Sequence, residues 1–269
     1  MRTAGYLIES EDLDGPTNMA LDEVLWTESA HGTAFCRLYG WADRPVLSLG
    51  YFQHADEVRS DPRLRELPFV RRLTGGGAIV HDREITYSLA LPARRAPATN
   101  ALYDRVHRAI ATSLVELGIP ASVDADTQRG DRSDRLCFCR SDRFAVRVCG
   151  VKVLGSSQRR RQASVLMHGS LLLGSSPAAP HVRGLSDVLE SVVSVESLRQ
   201  ALHRAVAAAL DLDLQPIELA RDLRLRAIAL ADSKYRTAAW NDRARPAQTK
   251  HLREPTQPDV ASRVCELDR

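Results

Sequence analysis

The chain has 269 residues and a net charge of +3, and 44% of its residues are hydrophobic and 26% charged. These values exclude an intrinsically disordered chain and do not indicate a nucleic-acid-binding protein, so we expect one large domain or two small ones. Because the N-terminal segment carries acids where a signal peptide is apolar, and no run of about 18 apolar residues occurs, we expect a cytoplasmic protein that does not bind membranes.

The first part of the chain combines several predicted strands with one helix. Apolar residues at helical spacing predict a helix over 17–26, with Thr17 as its N-terminal cap. Enrichment in β-branched and aromatic residues predicts five strands. Their sequences are GYLIES, AFCRLYGW, PVLSLGYFQ, PFVRRLT and ITYSLAL.

The rest of the chain adds helices and a hairpin. A helix over 101–118 ends at Gly118, and two more begin at Ser194 and after Pro216. Residues 143–158 are predicted to form a hairpin that turns near Gly150, followed by a strand over 163–174. Because strands and helices are interspersed without a regular βαβ alternation, we predict an α/β (α+β) fold with a mixed, largely antiparallel sheet flanked by helices. We predict one domain over 1–241 and a polar C-terminal tail over 242–269.

Three consecutive glycines, Gly75, Gly76 and Gly77, lie between two of the predicted strands. Glycine loses more conformational freedom on folding than any other residue, so such a run needs a reason. One explanation is a tight connection that requires a positive φ. The other is a backbone that passes close to a ligand and points N–H groups at a carboxylate or phosphate. The spacing of the run matches neither the P-loop nor the dinucleotide-binding fingerprint.

The cysteines and lysines are the side chains best suited to covalent chemistry. Five cysteines, at positions 36, 137, 139, 149 and 265, are an odd number in a long chain and are predicted to be thiols. Lys152 is one of only three lysines among 37 basic residues, and an amine can do chemistry that a guanidinium cannot. A nearby ammonium would favour the reactive thiolate of Cys137, although a lone cysteine is more commonly a small buried hydrophobe. A metal site built from Cys137, Cys139 and Cys149 is disfavoured because no second closely spaced ligand pair follows.

The segment RRLTGGGAIVHD resembles the signature of the lipoate and biotin protein ligase family. These cofactor transferases attach lipoyl, octanoyl or biotinyl groups to a lysine of a carrier domain. Other segments are similar to the family in the same order: NMALDEVL, PVLSLGYFQ, GVKVLGSSQRR, HGSLLL and KYRTAAWN. The resemblance implies that residues 1–241 form a catalytic domain related to class II aminoacyl-tRNA synthetases and biotin protein ligases, with the glycines lining a pocket for the acyl chain.

Within the family, the pair Cys137–Phe138, with Lys152 fifteen residues after the cysteine, most resembles the cysteine-type octanoyltransferases. This resemblance implies that the protein transfers an octanoyl or lipoyl group from acyl carrier protein, through a thioester on Cys137, to a lysine of a lipoyl domain. It also implies that no cofactor is required. The implied acceptors are the glycine-cleavage carrier protein and 2-oxo acid dehydrogenase subunits. Such enzymes tend to have an acidic residue, a small residue and a proline after the pair. Here Cys139, Arg140 and Ser141 stand there, so Cys139 is an alternative nucleophile.

The resemblance also implies a set of substrate-binding residues and leaves two other functions open. The residues are Arg71, Gly75, Gly76, Gly77, His81, Gly155, Ser156, His168 and Gly169. A structural role is an equal alternative for each histidine, and Arg71 and Arg72 cannot both face one pocket because strand residues alternate. The first alternative function is an ATP-dependent lipoate-protein ligase that forms lipoyl-AMP with ATP and Mg²⁺. The second is a non-catalytic acyl-binding module.

Overall fold

The computed structural model describes residues 3–9, 12–124, 136–140, 142–190 and 193–242. The strands are β1 Thr3–Glu9, β2 Ala34–Tyr39, β3 Val46–Leu49, β4 Phe69–Arg71, β5 Ile79–His81, β6 Glu84–Pro92, β7 Ala121–Val123, β8 Val146–Val148, β9 Val151–Arg160, β10 Ser164–Leu172 and β11 Leu212–Pro216. The helices are α1 Gly15–Ser29, α2 Ala55–Arg59, α3 Thr99–Glu116, α4 Val195–Ala209, α5 Arg221–Leu230 and α6 Ala238–Asn241. One-turn 3₁₀ helices span Cys137–Cys139 and Leu185–Asp187, and a π-helical turn over Ala231–Tyr235 follows α5.

The strands form one large sheet and one small sheet. The large sheet has the order β11-β1-β2-β6-β10-β9-β8-β7, and the small sheet has the order β4-β3-β5. Five of the seven neighbouring pairs in the large sheet are antiparallel, and only β1 pairs in parallel, with β2 and β11. The predicted mixed, largely antiparallel sheet flanked by helices is therefore confirmed.

Helices cover both faces of the large sheet. Along β2, Leu38 packs into the core beneath α3 and α4, whereas the next residue, Tyr39, packs into the core beneath α1. Leu89 and Ala90 of β6 divide in the same way, because successive strand side chains point to opposite faces. With both faces covered, every residue of β2, β6 and β10 is buried, including charged and polar residues such as Arg37, Glu84 and His168.

Local differences from the predicted elements have simple causes. The helix predicted to start at Thr17 starts at Gly15, because the Asp14 carboxylate accepts a hydrogen bond from the Thr17 N–H at 2.8 Å and is the actual cap. The predicted hairpin turns at Cys149 and Gly150, which both have positive φ. The sequence pattern missed five short elements, β5, β7, β11, α2 and α6. Each has five residues or fewer, which is too short for a clear period of apolar residues.

Several predictions fall on residues that the structure does not describe. Ser141, Cys265 and positions 243–269 of the predicted tail lie outside the described residues, and the domain limits stay a prediction. Within the described ranges, no helix is long and apolar enough to cross a membrane.

Candidate active site

A cavity of about 360 Å³ lies between the large sheet, the small sheet, α3 and the segment around the Cys137–Cys139 turn. This volume falls within the range of about 300–1000 Å³ that is typical of small-molecule sites. The cavity brings together all but one of the residues predicted for the site. They are Cys137, Lys152, Gly75, Gly76, Gly77, His81, Gly155, Ser156, His168 and Gly169.

Cys137 and Lys152 meet in this cavity from two different elements. Cys137 opens the 3₁₀ turn, where its N–H donates to the Ala78 carbonyl at 2.8 Å, and Lys152 lies on β9. The Nζ of Lys152 lies 4.0 Å from the Sγ of Cys137. The lysine side chain is 3% exposed, so bulk water screens its charge at the sulfur only weakly.

The ammonium of Lys152 also holds the segment that carries the thiol. It donates to the carbonyls of Cys137 at 3.0 Å and Arg140 at 3.4 Å, and to the carboxylate of Asp142 at 2.6 Å. An ammonium has three donors, and these three acceptors match them. Room for the side chain comes from Gly155, because a Cβ at that position would lie 2.9 Å from Cε of Lys152.

The glycine run forms a turn that faces the thiol. Gly76 has a φ of 93°, and a Cβ there would lie 3.0 Å from Nη2 of Arg72 and 4.0 Å from Sγ of Cys137. Its carbonyl oxygen packs so closely against Gly50 that a Cβ at Gly50 would lie only 2.0 Å away. The first explanation therefore holds at Gly76, which has a positive φ. The run also lines the cavity, and contact of its N–H groups with a ligand stays a prediction.

We expect Gly76→Ala to destabilise the protein by roughly 1–2 kcal/mol, the cost of a left-handed backbone for an L-residue, and to slow alkylation of Cys137 by iodoacetamide. The slower alkylation would follow because the new methyl group stands beside the sulfur. Gly118→Ala is the matched control, since Gly118 has a φ of 80° and its Cβ would meet no atom within 4 Å. Urea unfolding should show a loss for both variants, at least as large in Gly76→Ala because its Cβ would also crowd Arg72. Unchanged alkylation in Gly76→Ala would contradict the placement of the turn.

The two arginines of the signature have different places. Arg71, predicted to bind substrate, does not line the cavity: its guanidinium donates to the carbonyls of Gly50, Gln53 and Asn241, and so joins the turn after β3 to α6. Arg71 ends β4 and Arg72 follows it, and only Arg72 lines the cavity, as the sequence predicted for one of the pair.

Arg72 supplies the guanidinium that lines the cavity. It donates to the Ser48 carbonyl at 2.9 Å and to the carbonyls of Gly75 and Gly77 at 2.7 Å each, and so fixes the glycine turn. Among the described residues its buried Nε has no hydrogen-bond partner. Burial lowers the pKa of Arg72 to about 10, against the opposing effect of a negative charge on Cys137, so the guanidinium stays cationic at neutral pH.

His168 is held by a buried carboxylate. Its Nδ1 lies 3.2 Å from Asp22, and its Nε2 lies 2.5 Å from the Thr74 hydroxyl at the start of the glycine turn. Burial, which outweighs the hydrogen bond to Asp22, lowers the pKa of His168. For Asp22 burial alone would raise the pKa, but hydrogen bonds and the charge of Arg37, 3.1 Å away, lower it.

His81 forms a second histidine–carboxylate pair. Its Nδ1 lies 2.7 Å from Glu84, its Nε2 lies 2.7 Å from the Ser48 hydroxyl, and its ring stacks on Trp41 at 3.8 Å. Burial would raise the pKa of Glu84, but His81 and two hydroxyl donors hold it below its ordinary value. Because the carboxylate and the hydroxyl fix both ring nitrogens, His81 keeps one orientation at the cavity wall.

His107, on α3, lines the cavity and was missed by the sequence analysis. Its Nδ1 donates to the Phe144 carbonyl at 2.5 Å, and its Nε2 lies 2.7 Å from the Ser156 hydroxyl, which also contacts Tyr87. Burial, assisted by the charge of Lys152, lowers the pKa of His107 to about 4 against the effect of the Phe144 hydrogen bond. The ring is neutral at neutral pH, so Nε2 accepts a hydrogen bond. Its position on the buried face of a helix was the only signal in the sequence.

The buried His107 predicts a loss of stability at mildly acidic pH. Below about pH 6.5 the unfolded chain binds a proton at this ring, whereas the native protein does so only near pH 4. The free energy of unfolding therefore falls by roughly 3 kcal/mol as the pH is lowered between these two values. Urea titrations between pH 7 and about 4 should show this slope. It should be smaller in His107→Gln and unchanged in His181→Gln, which alters an exposed histidine. Equal slopes in all three proteins would contradict the prediction.

The other described cysteines lie outside the cavity. Cys36 is buried in β2, where burial raises its pKa to about 12, and Cys139 and Cys149 are exposed. In the described part of the chain, no three His, Cys, Asp or Glu side chains are arranged to hold a metal ion.

Solved structures define the class of protein to which this fold belongs. The chain matches lipoate-protein ligase A bound with ATP over 89% of its own length and 99% of that chain, with a TM-score of 0.73 and 23% sequence identity. It also matches a chain of the archaeal lipoylation system of Thermoplasma acidophilum, a bipartite lipoate protein ligase with its E2 lipoyl domain. There the TM-score is 0.69 and the identity 20%, over 89% and 96% of the two chains. The fold is that of the lipoate protein ligases.

Sequence comparison identifies the family. Residues 14–209 match the lipoyl protein ligase A/B catalytic domain, and the chain belongs to that family, as the sequence predicted. A relative from Kyrpidia tusciae, named octanoyltransferase LipM, is 34% identical over 84% of this chain and 94% of its own length. A relative from Symbiobacterium thermophilum with the same name is 33% identical over 90% of this chain and 100% of its own length.

Proposed function

We propose that this protein is an octanoyltransferase of protein lipoylation, with Cys137 as the nucleophile and Lys152 as its cationic partner. The observation that carries the proposal is the 4.0 Å contact between the Lys152 ammonium and the Cys137 thiol, both of which line the cavity. The naming of relatives more than 30% identical as octanoyltransferases supports the same reaction.

The first half of the proposed reaction loads the enzyme. The Cys137 thiolate attacks the thioester carbonyl carbon of the donor, a new C–S bond forms, and the bond to the donor sulfur breaks. The donor leaves as a thiolate and takes up the proton that Cys137 released. The ammonium of Lys152 and the guanidinium of Arg72 stabilise negative charge on the thiolate and on the tetrahedral oxyanion.

We propose octanoyl-acyl carrier protein as the donor and lipoyl domains as acceptors, including the glycine-cleavage carrier protein and 2-oxo acid dehydrogenase subunits. Two further arginines, Arg140 and Arg143, line the cavity beside the thiol, and this positive charge suits an acidic carrier protein. The structural relative from T. acidophilum was studied with an E2 lipoyl domain, which supports acceptors of this type. In this reaction the thioester supplies the activated acyl group, so no cofactor is proposed.

The rival function is an ATP-dependent lipoate-protein ligase, the activity named for the fold relative that binds ATP. In that function Lys152 would contact the acyl phosphate instead of activating a thiol. One experiment separates the two. The purified protein is incubated with octanoyl-acyl carrier protein in the absence of ATP, and its intact mass is measured before and after treatment with hydroxylamine. A transferase gains one octanoyl group that hydroxylamine removes. Transfer of free lipoate that depends on ATP, without such an adduct, would support the ligase.

A further inference from the structure

The charges that line the cavity are strongly unbalanced. Four cationic side chains face it, and they are Arg72, Arg140, Arg143 and Lys152. Among the described residues that line the cavity, Asp142 is the only carboxylate. The cavity therefore suits an anion or a polarised carbonyl, but it is unfavourable for a further cation.

The proposed reaction nevertheless requires a further cation to enter. The acceptor is a lysine, whose amine has an ordinary pKa of about 10.4 and so arrives as an ammonium at neutral pH. Moving an ammonium out of water is costly unless an opposite charge and hydrogen-bond acceptors replace the lost hydration. The four resident cations add repulsion to this cost.

Asp142 is placed where it can offset this cost. Its Oδ2 lies 2.6 Å from the Nζ of Lys152, which lies 4.0 Å from the sulfur that would carry the acyl group. The side chain of Asp142 is 50% exposed, whereas that of Lys152 is 3% exposed. Cys137 is itself only partly buried, so a lysine that approaches from solvent can contact this carboxylate and the acylated sulfur from the same side.

We propose that Asp142 binds the ammonium of the acceptor lysine and holds it beside the acylated Cys137, an inference that rests on the proposed function. The nitrogen releases one proton to solvent at the half-exposed carboxylate and attacks the thioester carbonyl carbon. The N–C bond forms and the C–S bond breaks. The electron pair returns to the sulfur, which takes the second proton from nitrogen and becomes a thiol again.

The test compares a cationic and a neutral acceptor. Octanoyl-loaded wild-type enzyme, Asp142→Asn, Asp142→Glu and Asp124→Asn are mixed either with a lipoyl domain or with hydroxylamine, which is neutral at neutral pH. Asp124 is the matched control because its carboxylate also lies 2.6 Å from a cation, Arg147, but outside the cavity. A lost hydrogen bond to a charged group predicts that Asp142→Asn discharges to the lipoyl domain roughly 10- to 100-fold more slowly. Its discharge to hydroxylamine should stay close to that of wild type.

The outcomes separate the alternatives. Transfer to the lipoyl domain by Asp142→Glu, but not by Asp142→Asn, supports the proposal, because glutamate keeps the negative charge that asparagine lacks. Equal loss with both acceptors would overturn it, since Asp142 would then act only by holding Lys152, and so would normal lysine transfer in Asp142→Asn. If the wild-type enzyme never forms the adduct, the proposed function itself fails, which is a different result from the failure of Asp142.

Discussion

The Cys137→Ser variant is expected to form no octanoyl adduct that hydroxylamine removes, and to lose transfer to lipoyl domains by a factor on the order of 10³ or more. A serine hydroxyl stays protonated beside the ammonium of Lys152, which stabilises an anion but offers no base. The three N–H groups of this ammonium already donate to the carbonyls of Cys137 and Arg140 and to the carboxylate of Asp142. Intact mass and a lipoyl-domain gel-shift assay measure the two effects.

Cys139→Ser is the matched control for this experiment. Cys139 lies on the same 3₁₀ turn, but it is exposed and does not line the cavity. This variant should keep both the adduct and the transfer. If Cys139→Ser is inactive and Cys137→Ser is active, the nucleophile is Cys139 and the cavity contact with Lys152 has another role. Similar thermal unfolding of both variants is expected, because neither thiol is part of a core cluster.

Lys152→Met is expected to slow adduct formation by roughly 10²-fold or more, the usual effect of removing one preorganised charge from an active site. The substitution keeps an apolar chain of similar length on β9 but removes the cation 4.0 Å from the sulfur of Cys137. It also leaves two carbonyls and the Asp142 carboxylate without their donor, so the segment around the thiol loosens. Rates of adduct formation and of iodoacetamide alkylation of Cys137 should fall together.

Lys234→Met controls for the loss of a partly buried ion pair. Lys234 lies 2.6 Å from Glu23, a spacing equal to that between Lys152 and Asp142, but it lies outside the cavity. It should lower stability without slowing alkylation of Cys137. Normal adduct formation in Lys152→Met would show that the ammonium does not activate the thiol, and the ligase alternative would then gain support.

The fold, Cys137, Lys152 and the glycine run could be recognised in the sequence because each leaves a local pattern. Enrichment in β-branched and aromatic residues predicted the long strands, and the helical period of apolar residues predicted α3 and α4, since those residues face a core directly. The hairpin that turns at Gly150 placed Lys152 on a strand, and the cysteine–phenylalanine pair marked Cys137. The glycine run was recognisable because few other residues adopt the φ of 93° found at Gly76.

Other features depended on contacts between distant parts of the chain. Alternation along β4 showed that only one of Arg71 and Arg72 can face the cavity, but the choice of Arg72 depends on which face of β4 packs against α6. His107 is separated from Ser156 by almost fifty positions, and nothing near it in sequence distinguishes it from a structural helix residue.

By itself, then, the amino-acid sequence determined the family, the sheet with its helices and the glycine turn, and it singled out Cys137 and Lys152 as the candidate pair of reactive side chains. Only the tertiary structure decided which cation and which carboxylate join that pair, namely Arg72 and Asp142. The physical reason is that hydrophobic periodicity and backbone preference act over neighbouring residues. The electrostatic surroundings of a thiol depend instead on distances in space, which are set when separate strands and turns pack together.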